Sequence, residues 1–437
     1  MTTNTSILKS EKKRIALLLA AGLALRLAYG WAARGVPPWN DMAVYDASRL
    51  ALLSRMPYAS DWPPLYPLLL SAVSMVFGKG YAVLYAAQAF LSTLTCLLIY
   101  LITKETFGRA AAFIALAAAA VYVDTIWYSA VLMAETTGLL FLTLTVYLML
   151  KRKHPALSGA AFGLACLTKG LYLIALPALC AWNIIRLGFK EGTLHSLKLA
   201  AVSLLLILPW TIYNSRRYHS FVLLEPHTGV AMMMGHNPAA TGGCDYYFVG
   251  QDYAKFLYDP ALTTLQRDAQ AKQFAINYML HNPGRELQLF ALKFSKFWSF
   301  RTHFDFNDGP YPLRRYFFLA SIIMHMLIFP AFVLGAVFSL DNKDALVSVL
   351  MITAYTLVFT VIFSAFGRMR FSLVPFMLIL AARGAVLLPE LAARVRSGGV
   401  DGIKGKLALV LSLSAALYAN FVYQVLSKYS NIATRFN

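Results

Sequence analysis

Charge is scarce in this sequence. Only 14% of its 437 residues are Asp, Glu, Lys or Arg, against 59% hydrophobic, and the mean hydropathy is +0.59. A soluble globular domain carries about 25% charged residues, so that class is excluded. Acidic residues are the rarer sign: 20 Asp and Glu against 39 Lys and Arg leave a formal net charge of +19. The basic residues fall in short clusters between apolar runs rather than in one patch, the pattern of cytoplasmic loops of a membrane protein and not of a nucleic-acid binder. Cysteine is nearly missing. Cys96, Cys166 and Cys180 lie in apolar runs and Cys244 stands alone in a polar loop, so neither a disulfide framework nor a zinc site is expected. Internal repeats and low-complexity segments are missing too, which removes support for an inverted-repeat transporter.

What is present is a series of apolar runs, many of roughly 20 residues. In lipid only helices and closed barrels satisfy every backbone polar group, so the chain reads as an all-α polytopic membrane protein. Lys9 to Arg14 precede the first run, 15–33, which is too long for a signal peptide and is read as a retained span with a cytoplasmic N-terminus. Residues 34–63 are polar, aromatic and proline-punctuated, hence outside. Residues 64–77 are too few to cross a bilayer and are expected to lie at the outer interface. Further spans at 81–103, 110–123, 130–150, 156–168, 171–185, 199–213, 317–340, 345–366, 371–391 and 407–425 give 11 in all. Every basic cluster, Lys151 to His154 included, then faces the cytoplasm. An N-terminal transmembrane module, 1–213, holds the first outer loop at 34–80; a large outer loop, 214–316, and C-terminal membrane helices, 317–437, follow. In the large loop, turns are expected at Gly235-His-Asn-Pro238 and Thr241-Gly-Gly243, a helix over 262–280 ended by His281-Asn-Pro-Gly284, and an interfacial helix over 287–300 carrying Lys293 and Lys296.

Charges facing outward at membrane depth cost about 2.5–3.5 kcal/mol each and so are informative. They are Arg26, Glu135, Lys169, Arg368 and Arg370, with Asp41 and Asp124 just outside. Asp41 opens a D-x-x-x-Y pattern with Tyr45; following a Pro-rich turn, it is either a helix cap or a reacting carboxylate. Glu135, early in its span, calls for a partner or substrate, whereas Asp124 suits an interfacial position. Lys169, in Leu167-Thr-Lys-Gly170, either snorkels or holds an anion that Gly170 lets approach the backbone. Arg368-Met-Arg370 supplies forks for phosphate oxygens, with headgroup contact as the plainer role. Cations and one carboxylate on a single face are the layout for displacing a phosphate leaving group. A lipid transporter or flippase would instead place charges or Gly/Pro breaks near mid-span, and a scaffold leaves Glu135 and Lys169 unexplained. His227 and His236 have no carboxylate at ligand spacing, so no metal centre is expected and no cofactor is called for.

The chain resembles GT-C glycosyltransferases of the protein O-mannosyltransferase and aminoarabinose transferase group, glycosyltransferase family 39. The resemblance rests on Arg26-Leu27, Asp41 with Tyr45, Pro63-Pro-Leu-Tyr66, Leu167-Thr-Lys-Gly170, Pro209-Trp210 with Asn214, Gly235-His-Asn-Pro238 with Thr241-Gly242, and Arg368-Met-Arg370 with Pro375. It implies a membrane enzyme that takes a sugar from a polyprenyl-phosphate carrier and inverts its anomeric centre, with interfacial helices in the first outer loop. Asp41 falls on the family's catalytic aspartate; Met42 stands where a Glu is usual and Trp62 where a basic residue often precedes Pro-Pro. On this basis Lys169 and Arg368 or Arg370 would hold the donor phosphate. Tyr45, Tyr66, Asp124, Glu135, His236 and Asn237 would line the substrate site, with membrane lipids around it. The acceptor is open among lipid A, another glycolipid, a cell-envelope polymer and a protein Ser/Thr; the lack of an added polypeptide-holding domain favours a glycan or lipid. A bacterial inner membrane with a periplasmic site is the implied location.

Overall fold

A computed structural model of the chain describes residues 2–58, 60–151, 154–244, 246–300 and 310–436, with side chains described between residues 10 and 427. Every regular element among them is helical. The first long helix, α1 (Thr2–Ala33), leads into two short ones, α2 (Asp41–Leu53) and α3 (Leu65–Phe77), which lie in the segment before the next long helix. Next come α4 (Tyr81–Phe107), α5 (Arg109–Val121), α6 (Val123–Tyr128), α7 (Glu135–Lys151) and α8 (Pro155–Thr168). A 3-10 turn, Gly170–Ile174, runs into α9 (Ala175–Leu187), followed by α10 (Phe189–Tyr218). The large loop carries α11 (Thr228–Gly235), α12 (Thr264–His281) and α13 (Pro283–Phe297). The C-terminal part holds α14 (Arg314–Val337), α15 (Leu346–Leu357) with a π-turn at Val358–Ile362, then a 3-10 turn at Gly367–Leu373, α16 (Val374–Arg396) and α17 (Lys404–Phe436). Gly108 and Gly188, both at φ 84°, take the left-handed conformation that ends α4 and α9 and lets the next helix turn back.

Among the described residues, seven helical segments are long and apolar enough to cross a membrane: Ser10–Ala33, Tyr81–Phe107, Gly170–Leu187, Phe189–Tyr218, Arg314–Val337, Gly367–Arg396 and Lys404–Ser427. The protein is a multi-pass membrane protein. The other four expected spans coincide with α5, α7, α8 and α15, all shorter. Two of them differ from expectation for a visible reason. Tyr122 turns extended (ψ 111°) and breaks the 110–123 run, and residues 130–134 lie outside the helix that begins only at Glu135. Arg152 and Lys153 of the expected cytoplasmic cluster lie outside the described residues.

Close packing holds the bundle. α14 lies on α16 with backbones touching: a Cβ at Gly335 would stand 1.8 Å from the Leu380 carbonyl oxygen, and one at Gly384 2.0 Å from that of Ala331. Arg26, singled out as a charge at membrane depth, is a structural knot. Fully buried on α1, it donates to Ser92 Oγ (2.8 Å), Thr125 Oγ1 (2.8 Å) and the carbonyls of Gly22, Ala119 and Ala120, at 2.9, 3.0 and 2.8 Å. The last two carbonyls end α5, where a cation meets the negative end of the helix dipole.

In the large loop, Thr263 and Gln266 form the capping box that starts α12, and Pro283 starts α13 in the position that lacks an intrahelical donor. Both expected loop helices are thus present, with one correction. Lys293, read as part of an interfacial face, is wholly buried and donates to His236, while Leu287, Phe290 and Phe294 form the exposed side of α13.

Candidate functional site

Four charged side chains from four segments meet at the head of the bundle. Asp41 is the first residue of α2, not its cap: Asn40 precedes it with φ 47° and makes no side-chain capping bond. The carboxylate, relieved of capping, accepts from Arg368 Nη1 at 2.8 Å. Arg368 is delivered by the 3-10 turn Gly367–Leu373. Its Nε donates to Glu135 Oε1 at 2.7 Å, and the same oxygen accepts from Lys169 Nζ at 2.9 Å. Glu135 stands at the first turn of α7 and Lys169 between α8 and its following 3-10 turn. Burial is graded across the cluster: the Glu135 side chain is 4% exposed, Lys169 and Arg368 are each 20%, and Asp41 is 39%. A buried carboxylate thus fixes two cations, and the cations present their remaining donors beside the more open Asp41.

Aromatic residues wall this cluster. Tyr45, one turn after Asp41, is buried with its ring 4.6 Å from Trp62 and 4.9 Å from Tyr66. Burial first, then Glu135 and Glu225, pushes its hydroxyl far above the usual tyrosine range, so it stays a neutral donor. Tyr66 stands one layer behind, donating to Gln88 Oε1 at 2.7 Å. Sequence reasoning passed over Glu225, whose Oε1 accepts from the Gly170 amide at 2.6 Å and so closes the Lys169 turn; burial raises its pKa. It also passed over Tyr246 in the large loop, whose pKa is raised first by partial burial, then by Cys244 and Asp41, with Arg368 acting the other way. A Leu-Leu-Glu-Pro turn and a tyrosine in a Gly-rich stretch carry no signal of their own.

Four expected site residues are placed elsewhere. Arg370 does not share a ligand face with Arg368: fully buried, it donates to the Phe297 carbonyl, lies 3.3 Å from His325 Nε2 and stacks 5.0 Å from the Phe329 ring. Asp124 is buried under α14, accepting from Ser321 Oγ at 2.6 Å, with His325 at 3.8 Å. His236 is buried between Glu286 (Nδ1, 2.8 Å), the Ile362 carbonyl (3.1 Å) and Lys293 (2.9 Å). Burial, then Lys293, lowers the pKa of His236, and burial brings Lys293 down to about 8. Asn237 closes its own turn, donating to Met233 O at 2.8 Å and accepting from Ala239 N and Tyr253 OH. These two position rather than line. With the Ala365 amide bonded to Gly242 O at 2.9 Å, His236 at the Ile362 carbonyl ties the large loop to the strand-like segment that leads into Arg368, and Asn237 shapes the turn beside it. Among the described residues no group of three His, Cys, Asp or Glu is placed to hold a metal ion. Between Asp41 and Glu135 lies the guanidinium of Arg368.

Residues 61–213 match the family described as dolichyl-phosphate-mannose-protein mannosyltransferase. Among curated protein sequences nothing matches. Solved structures do. The oligosaccharyltransferase of Archaeoglobus fulgidus in its apo form is 15% identical with a TM-score of 0.56, the match covering 94% of this chain and 55% of that one. The archaeal oligosaccharyltransferase AglB of Archaeoglobus fulgidus, in complex with an inhibitory peptide and a dolichol-phosphate, is 16% identical with a TM-score of 0.53, again covering 94% and 55%. ArnT from Cupriavidus metallidurans bound to undecaprenyl phosphate is 15% identical with a TM-score of 0.45, covering 87% and 79%. The chain spans about half the length of the archaeal enzymes it matches. With an all-helical bundle, two short helices after the first long one and this likeness across 94% of its length, the chain has the GT-C glycosyltransferase fold.

Proposed function

We propose that this protein is an inverting membrane glycosyltransferase that moves a sugar from a polyprenyl-phosphate donor to a glycan or lipid acceptor on the outer side of a bacterial inner membrane. The observation that carries the reading is the convergence of Asp41 with Lys169 and Arg368, two cations fixed by the buried Glu135. The acceptor hydroxyl attacks the anomeric carbon from the face opposite the phosphate; its proton passes to Asp41, and the electron pair of the broken carbon–oxygen bond leaves with the phosphate. Lys169 and Arg368 stabilise the charge that gathers on the departing phosphate. Where the acceptor is itself a phosphate, Asp41 orients it and takes no proton. Tyr45 and Trp62 furnish an aromatic wall of the kind that packs against a sugar ring, and the carrier's apolar tail lies along the lipid-facing helices.

The match of residues 61–213 to a mannosyltransferase family and the dolichol-phosphate held by an archaeal relative support a lipid-linked donor. The test is transfer or hydrolysis of radiolabelled sugar from polyprenyl-phosphate carriers by purified protein in a native-lipid extract, with wild type beside Asp41→Asn. Loss of a proton acceptor at the reacting centre predicts a fall of about 10²-fold or more in turnover with carrier binding retained. Carrier binding without turnover in either protein, across several sugars and acceptor extracts, would move the assignment to a lipid transporter.

A further inference from the structure

The hydrogen bonds of Arg368 do not fit a guanidinium waiting for phosphate. Phosphate takes an arginine best as a fork, through two parallel N–H donors. Here Nε is given to Glu135 at 2.7 Å and Nη1 to Asp41 at 2.8 Å, while Nη2 faces the Met133 sulfur at 3.8 Å. Two cations and two carboxylates also cancel, so an arriving phosphate meets no net positive charge and a guanidinium whose Nε and Nη1 are already engaged. To gain a fork and a field, it must displace a carboxylate.

Burial decides which one. Glu135 is 4% exposed and shares one oxygen between Arg368 and Lys169; pulling it free would strand a charge in dry surroundings. Asp41 is 39% exposed, holds Arg368 through one oxygen, and can take up water when released. Building on the transferase reading, we infer that Arg368 changes hands in each cycle: the donor phosphate displaces Asp41 from the guanidinium, and the carboxylate set free is the one that engages the acceptor. In the resting protein the base and the phosphate-binding cation satisfy each other. Donor binding separates them, keeps Arg368 on its Glu135 anchor and leaves the cluster one positive charge to set against the phosphate. Turnover is therefore ordered, donor before acceptor, and Asp41 is committed to the Arg368 pair whenever no carrier is bound.

The test is a double-mutant cycle on binding of sugar-free undecaprenyl phosphate to full-length protein in lipid nanodiscs, using wild type, Asp41→Asn, Arg368→Ala and the double variant. An ion pair closed about four-fifths of the time lowers apparent affinity about fivefold, so Asp41→Asn, which opens it, is expected to bind about fivefold tighter than wild type. Arg368→Ala is expected to bind more weakly, and adding Asp41→Asn to it to change nothing further. Asp41→Ala repeats the first arm without any side chain that can bond Arg368. If Arg368→Ala does not fold, Arg368→Gln, which can still bond Glu135 but carries no charge for Asp41 or phosphate, takes its place with the same expectation. Unchanged or weaker binding by Asp41→Asn overturns the exchange and leaves the transferase reading standing, as does equal tightening with and without Arg368, which would report only the local field. Wild-type binding by the Arg368 variant would remove Arg368 from the phosphate site and take the transferase assignment of that residue with it.

Discussion

Lys169 and Glu135 are two ends of one ion pair, yet their loss has different consequences. Replacing Lys169 with alanine leaves Glu135 still paired to Arg368, so the fold keeps its buried charge compensated. The expected outcome is a melting temperature close to wild type with carrier affinity lowered about tenfold, read by thermal scanning and by carrier binding on the same preparation; a charge-assisted bond to phosphate is worth about 1.5–3 kcal/mol. Replacing Glu135 with glutamine removes the one anion that both cations share and leaves Arg368 without its anchor. Breaking a buried pair costs about 3–5 kcal/mol, and the partial exposure of both cations puts this case near the lower end. A clear drop in melting temperature is expected, and an unchanged one would mean that Glu135 does not hold the site together. Glu135, Lys169 and Arg368 drew notice in the sequence as charges at membrane depth and Asp41 as a carboxylate just outside it; that the four meet is what the structure adds. The separation of Arg370 from Arg368 was not legible, because spacing of two means nothing until the local turn is known. In a 3-10 turn of three residues per turn, positions two apart point about 240° apart around the axis, and Arg370 goes into the core while Arg368 goes to the site.

Helix packing sets where Arg368 arrives. The turn that carries it runs straight into α16, and α16 is pinned to α14 where Gly335 and Gly384 let the backbones meet. A methyl group at Gly335 would fall 1.8 Å from the Leu380 carbonyl oxygen, a backbone atom that cannot swing aside. Gly335→Ala is expected to cost about 1–3 kcal/mol, as overpacking does, and to lower donor affinity by shifting the head of α16. Thermal scanning beside carrier binding checks both; lost stability with intact binding would show that α16 settles again without moving its turn. Most helices were readable from apolar runs bounded by Gly, Pro and basic residues. The break between α5 and α6 was not, because residues 110–134 carry no glycine or proline to announce it. Tertiary bonds make that break: Arg26 takes the Ala119 and Ala120 carbonyls, Thr125 turns back on Tyr122 O at 2.9 Å, and the Tyr122 hydroxyl reaches His325 at 3.1 Å. Ser321 holds Asp124 under α14, and Gln88 Nε2 takes the Ser129 and Val131 carbonyls at 3.3 and 2.8 Å in the stretch before α7 begins at Glu135. That late start is what places Glu135 beside Lys169, so the site depends on a feature no local pattern reveals.

Across the whole molecule, two loop segments are tied to each other as well as to the bundle. Asp61, between α2 and α3, accepts from Arg217 Nη2 at 3.1 Å and from the Tyr218 hydroxyl, and lies 3.1 Å from His227 Nε2 in the large loop. Burial alone would lower the His227 pKa, but the hydrogen bond and charge of Asp61 outweigh it, and the net shift is upward. Asp61 is shifted down, first by its bond to His227, against the effect of its own burial. The signs fix the window. A histidine raised on folding contributes stability in full below its unfolded value of about 6.5 and loses it as pH rises through the folded value. An aspartate lowered on folding contributes above its unfolded value of about 3.9 and loses it as pH falls through the folded value. The tie is therefore strongest between roughly pH 4 and 6.5 and slackens toward alkaline pH, where Arg217 alone still opposes Asp61. Both groups are about one-third exposed, so solvent screening holds the effect to about 1 kcal/mol or less. Hydrogen exchange is the suitable probe, since that energy is small against global stability but large for the local opening of a loop. Amides of residues 60–66 and 222–230 in wild type are expected to lose protection between pH 6 and pH 8.5, after correction for intrinsic exchange. His227→Gln should show the lower protection at both pH values. A wild-type pH dependence that survives in His227→Gln would assign the titration to another group near His227, of which Glu225 and Asp268 are the other acids that act on it. A loss confined to wild type would mean that the tie between these two loops is set by one histidine-carboxylate contact between residues that the sequence keeps 166 apart.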